Sequence, residues 1–323
     1  MITKDLLLKD MIIHEQQGYA LYCYHDGNII EECKGKLKEE DSKNIEFDSN
    51  FRLASVSKQF IAFGAVNLVI EKKLTFNTCI LDIFNDLPNY FKEITIKHLL
   101  NHTSGIYDYE DMDHDENVQI VDHDIIDFLK TTSTTYFVPG STYRYSNTGY
   151  ILLGLIISKV TGRELNEYIE TEIFKNANML SSKVNIEGKT MIRNRAYGHI
   201  INDDKLVVKD QYWCSATIGD GGLYSSINDL KKWIKYLITT DNFKLMKQPN
   251  YLNENDYNEY GLGIRIVDVN EKELIYHTGS TIGTNTLLLF SIDLNLCVLF
   301  LTNINDNSTT KIKEHLVEYF KNN

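Results

Sequence analysis

A serine and a lysine three positions apart are the first pair in the sequence that could do covalent chemistry. Ser55 and Lys58 stand at the start of an apolar segment, 55–74, whose hydrophobic residues recur on every side of a helix. Residues three apart share one face of a helix, so Lys58 can reach the Ser55 hydroxyl, and the helix N-terminus adds positive potential. A lysine desolvated in such a place can act as a base toward serine, which predicts a serine nucleophile.

Two later segments carry polar groups that could complete such a site. Tyr145 and Asn147 stand in a turn just before a predicted helix, 147–160, where a phenol and an amide can project into a cleft. The other segment ends a predicted strand and consists of His277, Thr278, Gly279 and Ser280. Its glycine would let backbone amides approach a substrate closely, because glycine has no side chain. Each motif alone is a weak signal, and the combination of all three is specific.

Together, and in this order, the motifs resemble the S-x-x-K, Y-x-N and [KH]-T-G set of the serine β-lactamase and penicillin-binding-protein superfamily, on its class C β-lactamase and D,D-carboxypeptidase side. The resemblance extends over roughly residues 18 to 318 and includes the segments 99–105 and 221–225. It implies a β-lactamase/transpeptidase-like fold of the mixed α/β (α+β) class. In that fold an antiparallel sheet is flanked by helices and an all-helical domain is inserted.

The resemblance also implies the catalytic roles. Ser55 would be the acylated nucleophile and Lys58 its proton partner, while Tyr145 would serve as base for attack or acid for the leaving group. Asn147 would orient Lys58 and the substrate amide. The deacylating element E-x-x-L-N of class A enzymes is missing from the sequence. We therefore expect Tyr145 and Lys58 to activate the hydrolytic water.

The strand motif would bind the substrate. The backbone N–H groups of Ser55 and Ser280 would form the oxyanion hole, and Gly279 would permit the close approach. His277 and Thr278 would contact the carboxylate or carbonyl of the substrate. Class C β-lactamases usually carry lysine at the position of His277, whereas a histidine is only partly charged near pH 7. The exchange favours, by resemblance, the D,D-carboxypeptidase, D-aminopeptidase and esterase-like branch.

Strand and helix patterns predict how these residues are positioned. The segment 18–35 predicts a hairpin, the middle of the chain is mainly helical, and 260–302 predicts four strands before a closing helix. We expect the front and the back of the chain to share one antiparallel sheet. The predicted organisation is a discontinuous sheet domain, 1–57 and 212–323, and a mainly helical domain, 58–211, with the active site between them.

Composition restricts the partners and the compartment. The 323 residues include 33 basic and 45 acidic side chains, for a net charge of −12, which argues against nucleic acid as a partner. Five scattered cysteines give no metal or redox motif. No apolar stretch is long enough for a membrane span and no signal peptide is visible. We expect a cytoplasmic protein, or an extracytoplasmic one if the start of the precursor is missing.

Two polar features have a competing interpretation. Within the acidic run 108–124, Asp111, Asp113 and Asp115 match ligand positions of a calcium loop, but Glu116 stands where that loop requires glycine. We expect a solvated loop over the mouth of the cleft and no metal. His102 precedes Ser104 and Gly105 at the end of a short predicted helix. We expect it to have a hydrogen-bonded structural role.

The sequence thus predicts a serine hydrolase that forms an acyl-enzyme on Ser55 without a metal or organic cofactor. Its partner would be a small molecule or short peptide: an amide or ester such as a D-amino-acid peptide, a β-lactam or a small ester. Two alternatives stay open. One is a penicillin-binding protein that acylates with little turnover, and the other is a catalytically silent binding domain. The oligomeric state is left open.

Overall fold

A computed structural model describes residues 1–11, 17–38, 43–203, 205–248, 250–253 and 256–323. The α-helices are α1 (Lys4–Leu7), α2 (Lys58–Ile70), α3 (Ile80–Ile83), α4 (Ile96–Leu100), α5 (Asp122–Thr131), α6 (Asn147–Thr161), α7 (Leu165–Tyr168), α8 (Ile227–Leu237), α9 (Asp241–Met246) and α10 (Ser308–Lys321). Short 3-10 turns cover Ala54–Ser57, Asn89–Glu93 and Tyr109–Asp111, and a π-helical turn covers Ile169–Phe174.

The strands are β1 (Tyr19–His25), β2 (Asn28–Lys34), β3 (Phe51–Arg52), β4 (Lys183–Val184), β5 (His199–Asn202), β6 (Lys205–Val208), β7 (Leu223–Ser225), β8 (Asn250–Asn253), β9 (Asp256–Asn258), β10 (Arg265–Val269), β11 (Lys272–Thr281), β12 (Thr284–Ser291) and β13 (Leu296–Thr302). Six of them form the main sheet in the order β10-β11-β12-β13-β1-β2. Every neighbouring pair is antiparallel. The expected sheet shared by the front and the back of the chain is therefore confirmed.

The two faces of this sheet are covered by different helices. Side chains alternate along a strand, so Leu287 and Leu289 of β12 point to one face while Leu288 and Phe290 point to the other. The first pair belongs to an apolar cluster with side chains of α1 and α10. The second pair belongs to a larger cluster with α2 and the other central helices. Burial on both faces explains why β12 is an almost continuous apolar run.

Helix α2 lies at the centre of the molecule. Its side chains are buried on all sides, as the apolar pattern predicted. It packs against α6, where Gly64 is close to Ile157, and against α9. The 3-10 turn Ala54–Ser57 leads into α2 and lies against β11 and β12. The start of α2 is therefore fixed where the helices meet the sheet.

The short strands form smaller sheets, with β3, β7 and β4 in one and β5 and β6 in another. Since β4, β5 and β6 lie within 58–211, that part of the chain is not wholly helical. One apolar cluster joins its helices to a face of the main sheet. The division into 1–57 with 212–323 and 58–211 stays a prediction. In the described part of the chain, each helix is too short or too polar to cross a membrane.

Candidate active site

The structure brings Ser55 and Lys58 together at the start of α2. Lys58 is fully buried, and its Nζ donates a hydrogen bond to Ser55 Oγ at 3.2 Å. It also donates to Asn147 Oδ1 at 2.7 Å and to the backbone carbonyl of Asp220 at 2.8 Å. An ammonium group has three N–H donors, so each of them has an acceptor here. Lys58 is therefore oriented by three oxygens from three separate parts of the chain.

The turn before Ser55 is under backbone strain. Ala54 has φ of +47°, in the left-handed region that a residue with a Cβ seldom adopts. Such a conformation costs about 1–3 kcal/mol and persists only where the surroundings enforce it. The Thr286 hydroxyl of β12 donates to the carbonyl of Leu53 at 2.8 Å and holds the turn against the sheet. Ser55 therefore lies in a strained turn that is fixed against the sheet.

The Tyr145 phenol lies beside Lys58. Its ring centroid is 5.0 Å from Lys58 Nζ and 4.2 Å from the centroid of the His102 ring. The Tyr145 hydroxyl is buried and has no hydrogen-bond partner among the described residues. A buried hydroxyl without a partner costs free energy, and such groups collect at functional sites. The hydroxyl lies beside Lys58 but outside the described lining of the cleft that holds Ser55, and its acid and base roles stay a prediction.

His102 contacts the segment that carries Tyr145 and Asn147. It is fully buried, and its Nδ1 accepts a hydrogen bond from the backbone N–H of Ser146 at 3.0 Å. Burial and the nearby charge of Lys58 hold its pKa well below the ordinary value. The ring is therefore neutral, which agrees with the structural role expected for this histidine.

Asn147 links the lysine to acidic residues that the sequence reasoning missed. It is the first residue of α6, after Ser146, whose side chain accepts from the N–H of Gly149. The Asn147 side chain donates to Glu110 Oε1 at 2.8 Å, and its backbone N–H donates to Asp108 Oδ2 at 2.8 Å. Since the amide nitrogen is fixed by Glu110, the amide oxygen is turned toward Lys58. Only the density of acids in 108–124 hinted at these partners.

Strand β11 reaches Ser55 through Gly279. A Cβ at position 279 would lie 2.1 Å from the carbonyl oxygen of Leu53 and 3.1 Å from the backbone nitrogen of Ser55. Only glycine allows this approach. Ser280 follows Gly279 and is exposed, and its hydroxyl donates to Asn305 Oδ1 at 3.4 Å. Together with Ser55, it lines a cleft in the surface. The backbone of β11 is thus in direct contact with the backbone at Leu53 and Ser55.

His277 and Thr278 do not line this cleft. His277 is 1% exposed, with Nδ1 2.7 Å from the Thr278 carbonyl and Nε2 3.0 Å from the Tyr260 hydroxyl. A carbonyl only accepts, so Nδ1 carries the proton and Nε2 accepts from Tyr260. Burial, together with the charges of Arg265 and Lys58, lowers the pKa of His277 to about 3. The expected partial charge near pH 7 is therefore wrong, and in this arrangement the ring has no exposed nitrogen for a substrate.

The buried ammonium of Lys58 contacts two residues of the cleft lining, Ser55 and Asp220, and carboxylates outnumber cations in the lining of the cleft. Its described lining contains three charged side chains, those of Arg52, Glu110 and Asp220. Arg52 donates to the backbone carbonyls of Gly221 and Ser215. Burial and the carboxylates of Asp108 and Asp220 raise the pKa of Glu110. A carboxylate whose pKa is raised by such neighbours is one that a cation would stabilise.

The acidic run is only partly the solvated loop that we expected. Asp111 is exposed and forms an ion pair with Arg144 at 3.0 Å, in keeping with a surface loop. Asp108 and Asp122, in contrast, are buried. Their burial depends on partners outside the run, which the local sequence does not reveal.

Known proteins with similar sequences cover nearly the whole chain. A family model described as Beta-lactamase matches residues 6–318. Penicillin-binding protein 4* of Bacillus subtilis (strain 168) is 29% identical, over 94% of this chain and 73% of its own length. Protein flp of Staphylococcus aureus (strain MRSA252) is 25% identical over 83% of this chain. This chain spans about half, 55%, of the length of protein flp.

Solved structures share the fold at lower identity. The penicillin binding protein from Bacillus halodurans superimposes with a TM-score of 0.82 at 23% identity, covering 99% of this chain and 100% of that one. The D-amino acid amidase from Ochrobactrum anthropi SV3, complexed with L-phenylalanine amide, gives a TM-score of 0.81 at 22% identity, covering 98% and 97%. The resemblance and the fold expected from the sequence are both confirmed. The chain belongs to the Beta-lactamase family and is a serine hydrolase of that family.

Proposed function

We propose that Ser55 is the nucleophile through which this hydrolase forms an acyl-enzyme on amide or ester substrates. One observation carries the proposal: Lys58 is buried, held by three acceptors, and one of these is the Ser55 hydroxyl at 3.2 Å. A buried lysine in contact with a serine hydroxyl is an arrangement that activates nucleophiles. The hydroxyl of Tyr145, without a partner beside this pair, adds a second proton carrier.

The proposed reaction runs in two steps. The reacting form of the Lys58 and Tyr145 pair holds one proton less than an ammonium with a phenol. Ser55 Oγ attacks the substrate carbonyl, its proton passes to this pair, and the pair protonates the leaving amine or alcohol. The oxyanion lies between the backbone N–H groups of Ser55 and Ser280. A water molecule then gives a proton to the same pair and attacks the ester. The acid product leaves, and Ser55 regains its hydroxyl proton.

Charge favours one group of substrates over the others. With His277 neutral and Glu110 in the cleft, the site offers a better place for an ammonium group than for the carboxylate of a β-lactam. The likeness to a D-amino acid amidase supports the same choice. We propose small amides or esters with a free amino group as the preferred substrates. D-amino-acid peptides, β-lactams and simple esters are the alternatives.

Covalent labelling tests the nucleophile. Wild type, Ser55→Ala and Ser308→Ala are incubated with a fluorophosphonate or a fluorescent penicillin, and their intact masses are measured. Ser308 belongs to the other S-x-x-K sequence, at 308–311, so it is a matched control. We expect one adduct on wild type and on Ser308→Ala, and none on Ser55→Ala. Equal labelling of Ser55→Ala and wild type would contradict the proposal.

Kinetics separate the hydrolase from its alternatives. We would assay D- and L-phenylalanine amide, a D-Ala-D-Ala peptide, a β-lactam and a p-nitrophenyl ester with the same enzyme. Steady turnover of an amide or ester supports the hydrolase. A stoichiometric burst with no later turnover on any substrate indicates a penicillin-binding protein, and no adduct with any reagent indicates a silent domain. The cytoplasmic location stays a prediction, which cell fractionation would test.

A further inference from the structure

The proposed reaction uses no carboxylate of the acidic run 108–124, but one of them is bonded to a segment beside Lys58. Asp122 is the first residue of α5 and is buried. Both of its oxygens accept from the backbone N–H of Ile218, at 3.1 Å each, and Oδ1 also accepts from the N–H of Gly219 at 3.2 Å. The carboxylate is thus bonded to two successive amides of a segment 96 and 97 positions further along the chain.

The segment 218–221 contacts Lys58 through Asp220. Asp220 follows Gly219 directly, and its carbonyl accepts from Lys58 Nζ at 2.8 Å. On its other side the segment lies against α6. A Cβ at Gly219 would be 2.6 Å from the carbonyl oxygen of Tyr150 and 2.7 Å from the Cα of Ile151. The segment 218–221 is therefore held between the Asp122 carboxylate and the backbone of α6.

Other charges lie close to this carboxylate. Asp220 faces it from the segment 218–221, with Oδ2 accepting from the Tyr109 hydroxyl at 2.8 Å and Oδ1 buried without a partner among the described residues. Burial raises the pKa values of Asp108 and Glu110, and the charge of Asp220 adds to this rise, while Lys58 donates to the Asp220 carbonyl. Burial and the charge of Asp220 raise the pKa of Asp122 to about 7, although the two amides act in the opposite direction. Its charge therefore changes near neutral pH.

We propose that Asp122 is a positioning residue for Lys58: its carboxylate holds the segment 218–221 where the Asp220 carbonyl meets the lysine, and its protonation sets the acid side of the pH dependence of Ser55 acylation. A protonated carboxyl presents an O–H to a site built from N–H donors, so one of its contacts is lost. The carbonyl then moves away from Lys58, and the lysine loses an acceptor. This inference rests on the proposed roles of Ser55 and Lys58.

The pH profile of acylation is the first test. We would measure the rate of labelling by p-nitrophenyl acetate between pH 5 and 9 for wild type, Asp122→Asn and Asp124→Asn. Asp124 is an exposed residue of the same helical turn whose carboxylate accepts from the N–H of Val121, so it is a matched control. In wild type and Asp124→Asn we expect the rate to fall as pH drops through about 7, in a one-proton curve. In Asp122→Asn we expect this curve to disappear and the rate at pH 8 to be about tenfold lower.

A direct readout of the segment is the second test. Protein labelled with ¹⁵N-glycine would be titrated, and the amide signals of Gly219 and Gly221 followed by NMR. We expect both signals to shift with a midpoint near pH 7 in wild type and to stay constant in Asp122→Asn. If Asp122→Asn does not fold, Asp122→Ser takes its place. A wild-type acylation rate that is flat from pH 6 to 8 overturns the proposal without any variant.

The two readouts separate the two proposals. If wild type is not acylated at any pH while its glycine signals titrate, the proposed function fails and the link between Asp122 and the segment 218–221 stands. If wild type is acylated normally and Asp122→Asn keeps the same acid side of the profile, the positioning role of Asp122 is overturned and the function of Ser55 stands.

Discussion

Ser55 Oγ is the most distant of the three oxygens that accept from Lys58 Nζ, at 3.2 Å against 2.7 and 2.8 Å. The lysine is thus fixed mainly by Asn147 and Asp220 and is presented to the serine.

Lys58→Arg keeps the charge, but a planar guanidinium cannot take the place of a buried ammonium, nor does it give up a proton. We expect the rate of acylation to fall at least about 100-fold, measured by the time course of covalent labelling. Lys73→Arg, on an exposed lysine paired with Glu71, is the control. A loss of less than threefold in Lys58→Arg would contradict this assignment.

Tyr145→Phe separates catalysis from stability. The hydroxyl has no hydrogen-bond partner among the described residues, so its removal leaves no other group unpaired. We expect the free energy of unfolding to change by less than about 1 kcal/mol, while acylation slows by about 10²- to 10⁴-fold. Urea denaturation and labelling rates give the two numbers. Full activity of the variant would remove Tyr145 from the reaction.

Gly279→Ala should damage the site through the backbone. The new methyl group would lie 2.1 Å from the Leu53 carbonyl oxygen, so β11 and the turn before Ser55 must separate. We expect a loss of about 1–3 kcal/mol in the free energy of unfolding and a large loss of acylation, because one oxyanion donor is displaced. Gly149→Ala in α6 is the control, because its new Cβ would come no closer than 3.7 Å to the Leu99 carbonyl oxygen and Ser146 Oγ; it should be neutral or slightly stabilising. Equal behaviour of the two variants would show that the close approach is unimportant.

His277 can be tested by charge. Because its pKa is lowered to about 3, the ring is neutral throughout the range from pH 5 to 9. We expect His277→Gln to leave the shape of the pH profile of acylation unchanged. His277→Lys places an ammonium group in a buried position and should destabilise the fold by several kcal/mol at pH 7. Tighter binding of carboxylate substrates by a stable His277→Lys variant would instead restore the contact expected from the sequence.

Asp122 has opposite effects on stability and activity. Its pKa in the folded protein, about 7, lies above the value of 3.8 in the unfolded chain, so the folded state binds the proton more tightly. The stabilisation from this proton is complete below about pH 4 and is lost as pH rises to about 7, by about 4 kcal/mol in total. Asp122→Asn has no such dependence. We expect the variant to gain stability relative to wild type between pH 4 and 8, as urea denaturation would measure. A constant difference between the two proteins would show that Asp122 does not titrate in this range.

The motifs were visible in the sequence because each is local. Ser55 and Lys58 are joined by one helical turn, and Tyr145 and Asn147 by the start of α6. The main sheet followed from the hairpin pattern of 18–35 and the four strand segments of 260–302, although β12 is almost continuously apolar. Burial of His277 could not be predicted, because its partner Tyr260 lies before another strand. The pairing of Asp122 with Ile218 and Gly219 has no local signal at all, since the helix dipole favours an aspartate in the first turn whether or not it has a distant partner.

The order of strands in the main sheet has a consequence for synthesis of the protein. β13 lies between β12 and β1, so the hairpin of β1 and β2 has no place in the sheet until residues 296–302 are present. Pairings between such distant segments form late and slowly. A nascent chain on the ribosome therefore carries its serine and lysine for most of translation without the completed sheet behind them. The turn that carries Ser55 lies against β11 and β12, so the site cannot be assembled before residues 272–291 have been made.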